Sequence, residues 1–259
     1  MTTSPEPTTR RVVLITGAAS GLGAATARRF LREGWQVVIN HLDAGQKAAA
    51  AEIAALASAP GQRAIAVEAD VTRDDDCVRL VQAAVDAFGR LDALVNAAGI
   101  SKMVAHPQLH DLSADDFQRI YAVNTVGPFL MTRAAAPHLK AAGKASVVNI
   151  SSRAGIAGSG SSIAYAASKG ALNTMTLSLA RVLAPEVRVN AVCPVLVEGG
   201  FVERLAPESF AQRREHQIKV TPLHRIGHPD EVAETIHWLT TGASMMTGAI
   251  VELDFGLHL

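Results

Sequence analysis

Three observations predict a doubly wound α/β fold, with helices on both faces of a seven-stranded parallel sheet. Seven short apolar, β-branched runs alternate with longer alanine- and leucine-rich stretches of helical period. The short runs are continuously apolar, as strands buried on both faces must be. No linker-like stretch or internal repeat divides the 259 residues, so right-handed crossovers join the strands into one sheet.

The elements follow in order, with boundaries good to about two to four residues. Strands are expected at 12–16 (Val-Val-Leu-Ile-Thr), 36–40 (Gln-Val-Val-Ile-Asn), 63–67, 91–95, 145–150, 187–192 and 249–253. Helices are expected at 22–33, 44–58, 75–88, 113–141 with a break near Pro128, 163–183 and 230–241. Asp74 is the expected cap of the third helix, and the run Asp74 to Asp76 suits the positive end of its dipole better than a metal. Ser113 with Asp116 reads as a capping box with Asp in the usual Glu place. Residues 196–225 form a less regular insertion, too short to stand alone and suited to a lid. The expected organisation is a disordered N-terminal arm at 1–10 and a single domain at 11–259.

Lys and Arg number 24, and so do Asp and Glu, which argues against nucleic acid or an anionic membrane surface as main partner. No run approaches the roughly 20 apolar residues that cross a bilayer. The first ten residues lack the apolar core of a signal peptide, so a cytoplasmic location is expected. Cys77 and Cys193, the only cysteines, have no metal or redox spacing, and no metal site is expected.

Tyr165 and Lys169 stand four residues apart and share a helical face. A cation near a phenol stabilises the phenolate and draws the pKa toward the range where proton transfer is efficient. A lone Tyr-x-x-x-Lys is common, and the rest of the chain must support it. Directly after the first strand comes Thr16-Gly-Ala-Ala-Ser-Gly-Leu-Gly23, whose glycines let backbone approach a pyrophosphate at a helix N-terminus. Val95-Asn-Ala-Ala-Gly99 and Asn149-Ile-Ser-Ser152 lie at the carboxyl edge of the sheet, where ligands of open α/β folds collect.

With these motifs in order, and with Asp70, Asn124, Asn190 and Pro194, the chain resembles the short-chain dehydrogenase/reductase family in its shorter single-domain subgroup, over residues 11–256. The resemblance implies a Rossmann-type three-layer sandwich. It implies that Tyr165 is the general acid or base for an alcohol and its ketone, that Lys169 lowers the tyrosine pKa and holds the nicotinamide ribose, and that Ser152 donates to the reacting oxygen. Asn124 matches the family asparagine that positions a water beside the lysine. The implied cofactor contacts are Gly17, Ser20, Gly21, Leu22 and Gly23 of the turn, His41, Asp70 and Val71, Asn96, Ala97 and Gly99, Tyr165 and Lys169, and Pro194 and Val197.

The chain departs from the family at two places. His41 stands where an NAD-selecting aspartate would fall, and Ser20 stands where many NADP-using relatives carry a basic residue. Because histidine or asparagine can donate to a 2′-phosphate, NADP(H) is expected to be slightly preferred over NAD(H). Val195 and Gly199 replace the family glycine and threonine near the nicotinamide carboxamide. Those two changes keep open the alternative of a dinucleotide-binding sensor with lost or weak catalysis. Phe201, Leu205, Phe210 and Ile218 are candidates for apolar substrate lining. The expected partners are a small-molecule alcohol or ketone and further copies of the chain, as a homodimer or homotetramer through the helices at 113–141 and 163–183.

Overall fold

In the computed structural model, which describes residues 10–259, the seven apolar runs pair in parallel in the order β3-β2-β1-β4-β5-β6-β7. The strands are β1 (Val12–Ile15), β2 (Gln36–His41), β3 (Ala64–Glu68), β4 (Ala93–Asn96), β5 (Ala145–Ile150), β6 (Val187–Pro194) and β7 (Ile250–Leu253). Val13 of β1 registers with Val37 on one side and Ala93 on the other, and all four residues of β1 are fully buried. Burial on both faces explains why that run lacks polar alternation.

Strand alternation divides the core into two layers. Val13 and Ile15 face a cluster with Phe30 of α1 (Gly21–Arg32), Ile53 of α2 (Lys47–Ala54) and Ile236 of α10 (Pro229–Thr241). Val12 and Leu14 face Leu80 of α3 (Asp74–Phe88), Met131 of α5 (Gly127–Ala142) and Ala180 of α7 (Ile163–Leu183). The chain winds outward from β1 to β3 and then returns to β4. At that reversal, between β1 and β4, lies the switch point at whose carboxyl edge open α/β sheets form a crevice.

Several local expectations change. Arg73 is the residue that precedes α3, and Asp74 is its first helical residue, ion-paired with Arg133 of α5 instead of capping. The Ser113–Asp116 capping box does open α4 (Ala114–Tyr121). No break falls at Pro128. The helix passes from α4 through a π-helical turn (Ala122–Val126) directly into α5, whose first turn holds Pro128. The wider π turn just before it, where the Gly127 amide donates to the carbonyl of Ala122 five residues back, accommodates a residue without an amide donor, so the helix continues. Helix α2 is shorter than expected because Ala44–Gln46 forms a separate 3₁₀ turn capped by Asp43.

Residues 196–225 are more regular than expected, folding as α8 (Phe201–Leu205) and α9 (Pro207–Val220) after α6 (Ala154–Ala157) and β6. Pro207 sits at the first position of α9, where its fixed φ is preorganised for a helix. The expected N-terminal arm lies outside the described residues except for Arg10, whose guanidinium donates to the carbonyls of Gly34 (2.8 Å) and Pro60 (2.9 Å). Among the described residues no helix is long and apolar enough to cross a membrane, and no cluster of His, Cys, Asp or Glu has metal-binding geometry.

Candidate active site

Two buried side chains hold the glycine turn in place. Thr16 Oγ1 accepts from the amides of Ala97 and Ala98, both at 3.0 Å, so the turn after β1 is fastened to the turn after β4. Asn40 Oδ1 accepts from the Gly17 amide at 3.1 Å, while its Nδ2 donates to the Ala69 carbonyl at 2.9 Å, drawing in the ends of β2 and β3. A Cβ on Gly23 would stand 2.5 Å from the Gly17 carbonyl oxygen, so only glycine lets α1 start this close to β1. Ser20 precedes α1 and makes no side-chain capping bond, leaving the first-turn amides for an anion.

These elements form one wall of a cavity of about 1160 Å³, whose lining includes Gly17, Ser20, Gly21, Leu22 and Gly23. Pockets for drug-sized ligands measure roughly 300–1,000 Å³, so this one has room for a dinucleotide with a substrate beside it. Asp70, Val71, Ala97, Gly99, Pro194 and Val197 line it too, as do Ser152, Tyr165 and Lys169. Asp70 is the only carboxylate among the described lining residues, against Arg119, Arg153, Lys169, Arg204 and Arg213. The open helix terminus, the close-approach glycine and this cationic lining fit a dinucleotide.

Three expected site residues are not in the lining. His41 is 2% exposed, and its Nδ1 lies 2.9 Å from the Asp43 carbonyl. The cavity wall at the end of β2 consists of Asn40, Leu42 and Gln46, because successive strand side chains point opposite ways. A histidine donor to a 2′-phosphate is therefore absent from this arrangement. Asn96 is buried and donates to Asn149 Oδ1 at 2.8 Å, and Asn149 donates to Thr176 Oγ1 of α7 at 2.9 Å. Asn124 lies in the π-helical turn with its side chain fully buried. Its Oδ1 accepts from the Ile100 amide at 2.9 Å and its Nδ2 donates to the Ile100 carbonyl at 3.0 Å and to Ser168 Oγ at 3.1 Å. Those bonds tie the loop after β4 to the helix that carries Tyr165.

Tyr165 is placed by the start of α7, where Ser162 Oγ accepts from its amide at 3.3 Å. Burial pushes the phenol up to about 12, opposed by a hydrogen bond with Ser152. Burial pulls the Lys169 ammonium down to about 8. The expected lowering of the tyrosine pKa by its lysine does not govern here. Lys169 Nζ donates to the Ile150 carbonyl at 2.8 Å and stands 5.7 Å from the Tyr165 ring centroid, while desolvation acts on both groups. Ser152 Oγ accepts from the Ala154 amide at 3.2 Å, which fixes the hydroxyl at the cavity wall. Its neighbour Ser151 turns inward and donates to the Lys169 carbonyl at 3.2 Å.

Sequence reasoning missed Thr16 and Asn40 as supports of the turn, although both sit at strand ends beside it. It also missed Arg204, Gln212, Arg213, His216 and Gln217, which α8 and α9 present to the cavity in place of the expected Leu205, Phe210 and Ile218, while the side chain of Phe201 lies outside the described residues. The positions from Gln212 to Gln217 fall on one helical face, a polar periodicity that hydrophobic patterning does not register.

The family model described as Enoyl-(Acyl carrier protein) reductase matches residues 17–258. The chain is 40% identical over 251 residues to "Granaticin polyketide synthase putative ketoacyl reductase 2" of Streptomyces violaceoruber, covering 96% of each protein. It is 37% identical over 248 residues to cis-4-hydroxycyclohexanecarboxylate dehydrogenase of Sinomonas cyclohexanicum, covering 95% of this chain and 96% of that one. A crystal structure of a Burkholderia xenovorans protein assigned to the short-chain dehydrogenases/reductases superposes with a TM-score of 0.90 at 41% identity, covering 97% of this chain and 99% of that one. The chain belongs to the short-chain dehydrogenase/reductase family, whose typical cofactor is NAD(P), and is an oxidoreductase of CH–OH groups.

Proposed function

We propose that this short-chain dehydrogenase/reductase interconverts a secondary alcohol and its ketone, with Tyr165 as the proton-transfer group. The carrying observation is that Ser152, Tyr165 and Lys169 line the same cavity as the Gly17–Gly23 turn. A bound nicotinamide dinucleotide supplies or accepts the hydride. Gly17, Ser20, Gly21, Leu22 and Gly23 hold its phosphates. Asp70 and Val71, Ala97 and Gly99, and Pro194 and Val197 flank the rest of it.

In reduction, Tyr165 donates its phenolic proton to the reacting oxygen. A pKa pushed up to about 12 keeps that proton in place at neutral pH. Ser152 donates to the same oxygen as negative charge grows on it. Lys169, charged below about pH 8, places a cation beside the phenol when the proton leaves. In oxidation Tyr165 must first give up its proton before it can take that of the alcohol, so this direction is favoured at higher pH. Asn124 positions α7 through Ser168 without touching the reactants.

The segment at 196–225 serves as the lid over the substrate. Val195 and Gly199 stand where the family has glycine and threonine, and the main chain of Leu196 and Val197 takes over the carboxamide contact. The wall at the end of β2 carries Asn40, Leu42 and Gln46 and no carboxylate, which supports a slight preference for NADP(H) over NAD(H). Exposed Phe117, Tyr121 and Phe129 on α4 to α5 and Leu177 on α7 supply an apolar face for a homodimer or homotetramer. Light scattering tests that assembly.

The activity is tested by following the 340 nm absorbance of NADPH and NADH with a panel containing a β-ketoacyl thioester, a ketocyclohexane carboxylate and small ketones. Turnover of any member with faster reaction of NADPH is the expected result. A large preference for NADH removes the cofactor assignment. Tight dinucleotide binding with no turnover of any ketone or alcohol returns the sensor reading.

A further inference from the structure

The short helix α8 brings one side chain back over the start of α1. Arg204 Nη1 lies 3.4 Å from Ser20 Oγ, a contact between residues 184 apart in sequence. The same Nη1 lies 3.2 Å from where a Cβ of Gly21 would stand, so the guanidinium rests on bare glycine backbone. Arg204 and Gly21 both line the large cavity. The arginine is held on a bent support: the Gly199 amide donates to Glu203 Oε2 at 2.6 Å, and the Arg204 amide donates to the Gly200 carbonyl at 3.3 Å.

The geometry points to Arg204 as a clamp on the dinucleotide pyrophosphate, closing over it from the lid while the α1 amides hold it from below. This role rests on the dinucleotide reading above. Two donor sets of different origin converge on one place. The helix terminus offers amide N–H groups and the positive end of a dipole. The guanidinium offers a planar fork of donors that matches two phosphate oxygens at once. Arg213 also lines the cavity, but its Nε donates within α9, to Ser209 Oγ at 3.4 Å, so it does not share this position. The pyrophosphate is common to NAD and NADP, and Arg204 therefore strengthens both without choosing between them.

Placing the clamp on α8 also couples the lid to occupancy of the cofactor site. Gly199 adopts a φ of +65° just before α8, so the support turns at a residue of wide conformational freedom. A phosphate bridged between Arg204 and the α1 terminus ties that turn down. Lid closure over the substrate is then favoured by the part of the cofactor farthest from the chemistry.

The test uses the full chain and three probes, NADH, NADPH and ADP-ribose, titrated against wild type, R204Q, R204K and R214Q, the last at an exposed arginine of α9 outside the cavity lining. Ligand-free thermal melts check that each variant is folded. The expected result is a loss of about 10- to 100-fold in affinity for all three probes in R204Q, the range for a lost charged hydrogen bond. R204K should recover part of it and R214Q should lose little. ADP-ribose should slow tryptic cleavage at exposed Arg213 and Arg214 of α9 in wild type and not in R204Q. Unchanged affinities in folded R204Q overturn the clamp while leaving the dinucleotide reading intact. A loss confined to NADPH overturns it as well, because the arginine would then serve the 2′-phosphate. Failure of wild type to bind any probe removes both the clamp and the reading beneath it.

Discussion

The sheet edge and the lid face the same cavity with different construction. Thr16, Asn40, Asn96 and Asn149 at the edge are at most 2% exposed, and each is hydrogen-bonded to backbone or to another buried side chain. Across the cavity, α9 buries one residue, Gln217, and turns Gln212, Arg213 and His216 toward the opening. The edge is fixed before anything binds, as proton transfer and cofactor positioning require. The lid carries few buried apolar contacts and has a low cost of local opening. Chemistry common to many substrates fits the fixed wall, and selection among substrates fits the adaptable one.

The largest effect expected separates chemistry from fold at the fixed wall. Tyr165→Phe should lower kcat by about 10²- to 10⁴-fold, the usual share of a positioned acid or base. Cofactor affinity from NADPH fluorescence should stay within about twofold, and the melting temperature should move little, because the ring still fills its buried place. Retention of turnover in this variant would remove Tyr165 from the mechanism.

A second expectation concerns the energetic cost of the buried lysine. Lys169 titrates near 8 in the folded chain against an ordinary 10.5. The unfolded chain therefore holds more protons between those values, and the destabilisation by the buried charge is full below pH 8 and relieved as pH rises toward 10.5. Wild type should gain about 2 kcal/mol relative to Lys169→Met between pH 7 and 9.5, since each tenfold difference in proton affinity between the folded and unfolded chains is worth about 1.4 kcal/mol. Urea melts of both proteins at the two pH values measure it. Equal pH slopes would mean that the ammonium is solvated.

A third expectation compares glycines on the two walls. Gly23→Ala pushes a methyl to 2.5 Å from the Gly17 carbonyl oxygen and should destabilise by about 1–3 kcal/mol while weakening dinucleotide binding. Gly199→Ala meets no atom within 4 Å and carries only the strain of a φ of +65°, about 1–2 kcal/mol. Its effect should fall on the KM for the ketone and, through the support of Arg204, on cofactor affinity, the latter by less than in Gly23→Ala. Thermal melts and steady-state kinetics on the pair distinguish a rigid wall from a hinged one, and equal losses of cofactor affinity would erase the distinction.

Legibility in the sequence follows the same division. The strands are readable because two-sided burial leaves a continuous apolar run, and the period of α7 places it at 163–183, where the structure has it. The Ser113–Asp116 box is readable because a cap depends on four residues of local chain. The π-helical turn around Asn124 is not, since the widening satisfies packing of α4 and α5 against α7 and leaves no periodic trace. Asp74 reads as a cap from its neighbours alone, because its pairing with Arg133 joins residues 59 apart. The lid helices escape notice because their mostly polar surface carries little apolar period.

By itself the sequence determined the parallel sheet and the glycine turn, which depend on local spacing and two-sided burial, while the Ser152, Tyr165 and Lys169 set rests on resemblance to the family and on motifs in the right order. Tertiary structure decided that Asn40 and not His41 faces the cavity, that Arg204 returns to the glycine turn, and that burial raises the Tyr165 pKa and lowers that of Lys169. The reason is physical: strand pleating at the edge, the approach of distant segments and desolvation are properties of packing, and no local run of residues carries them.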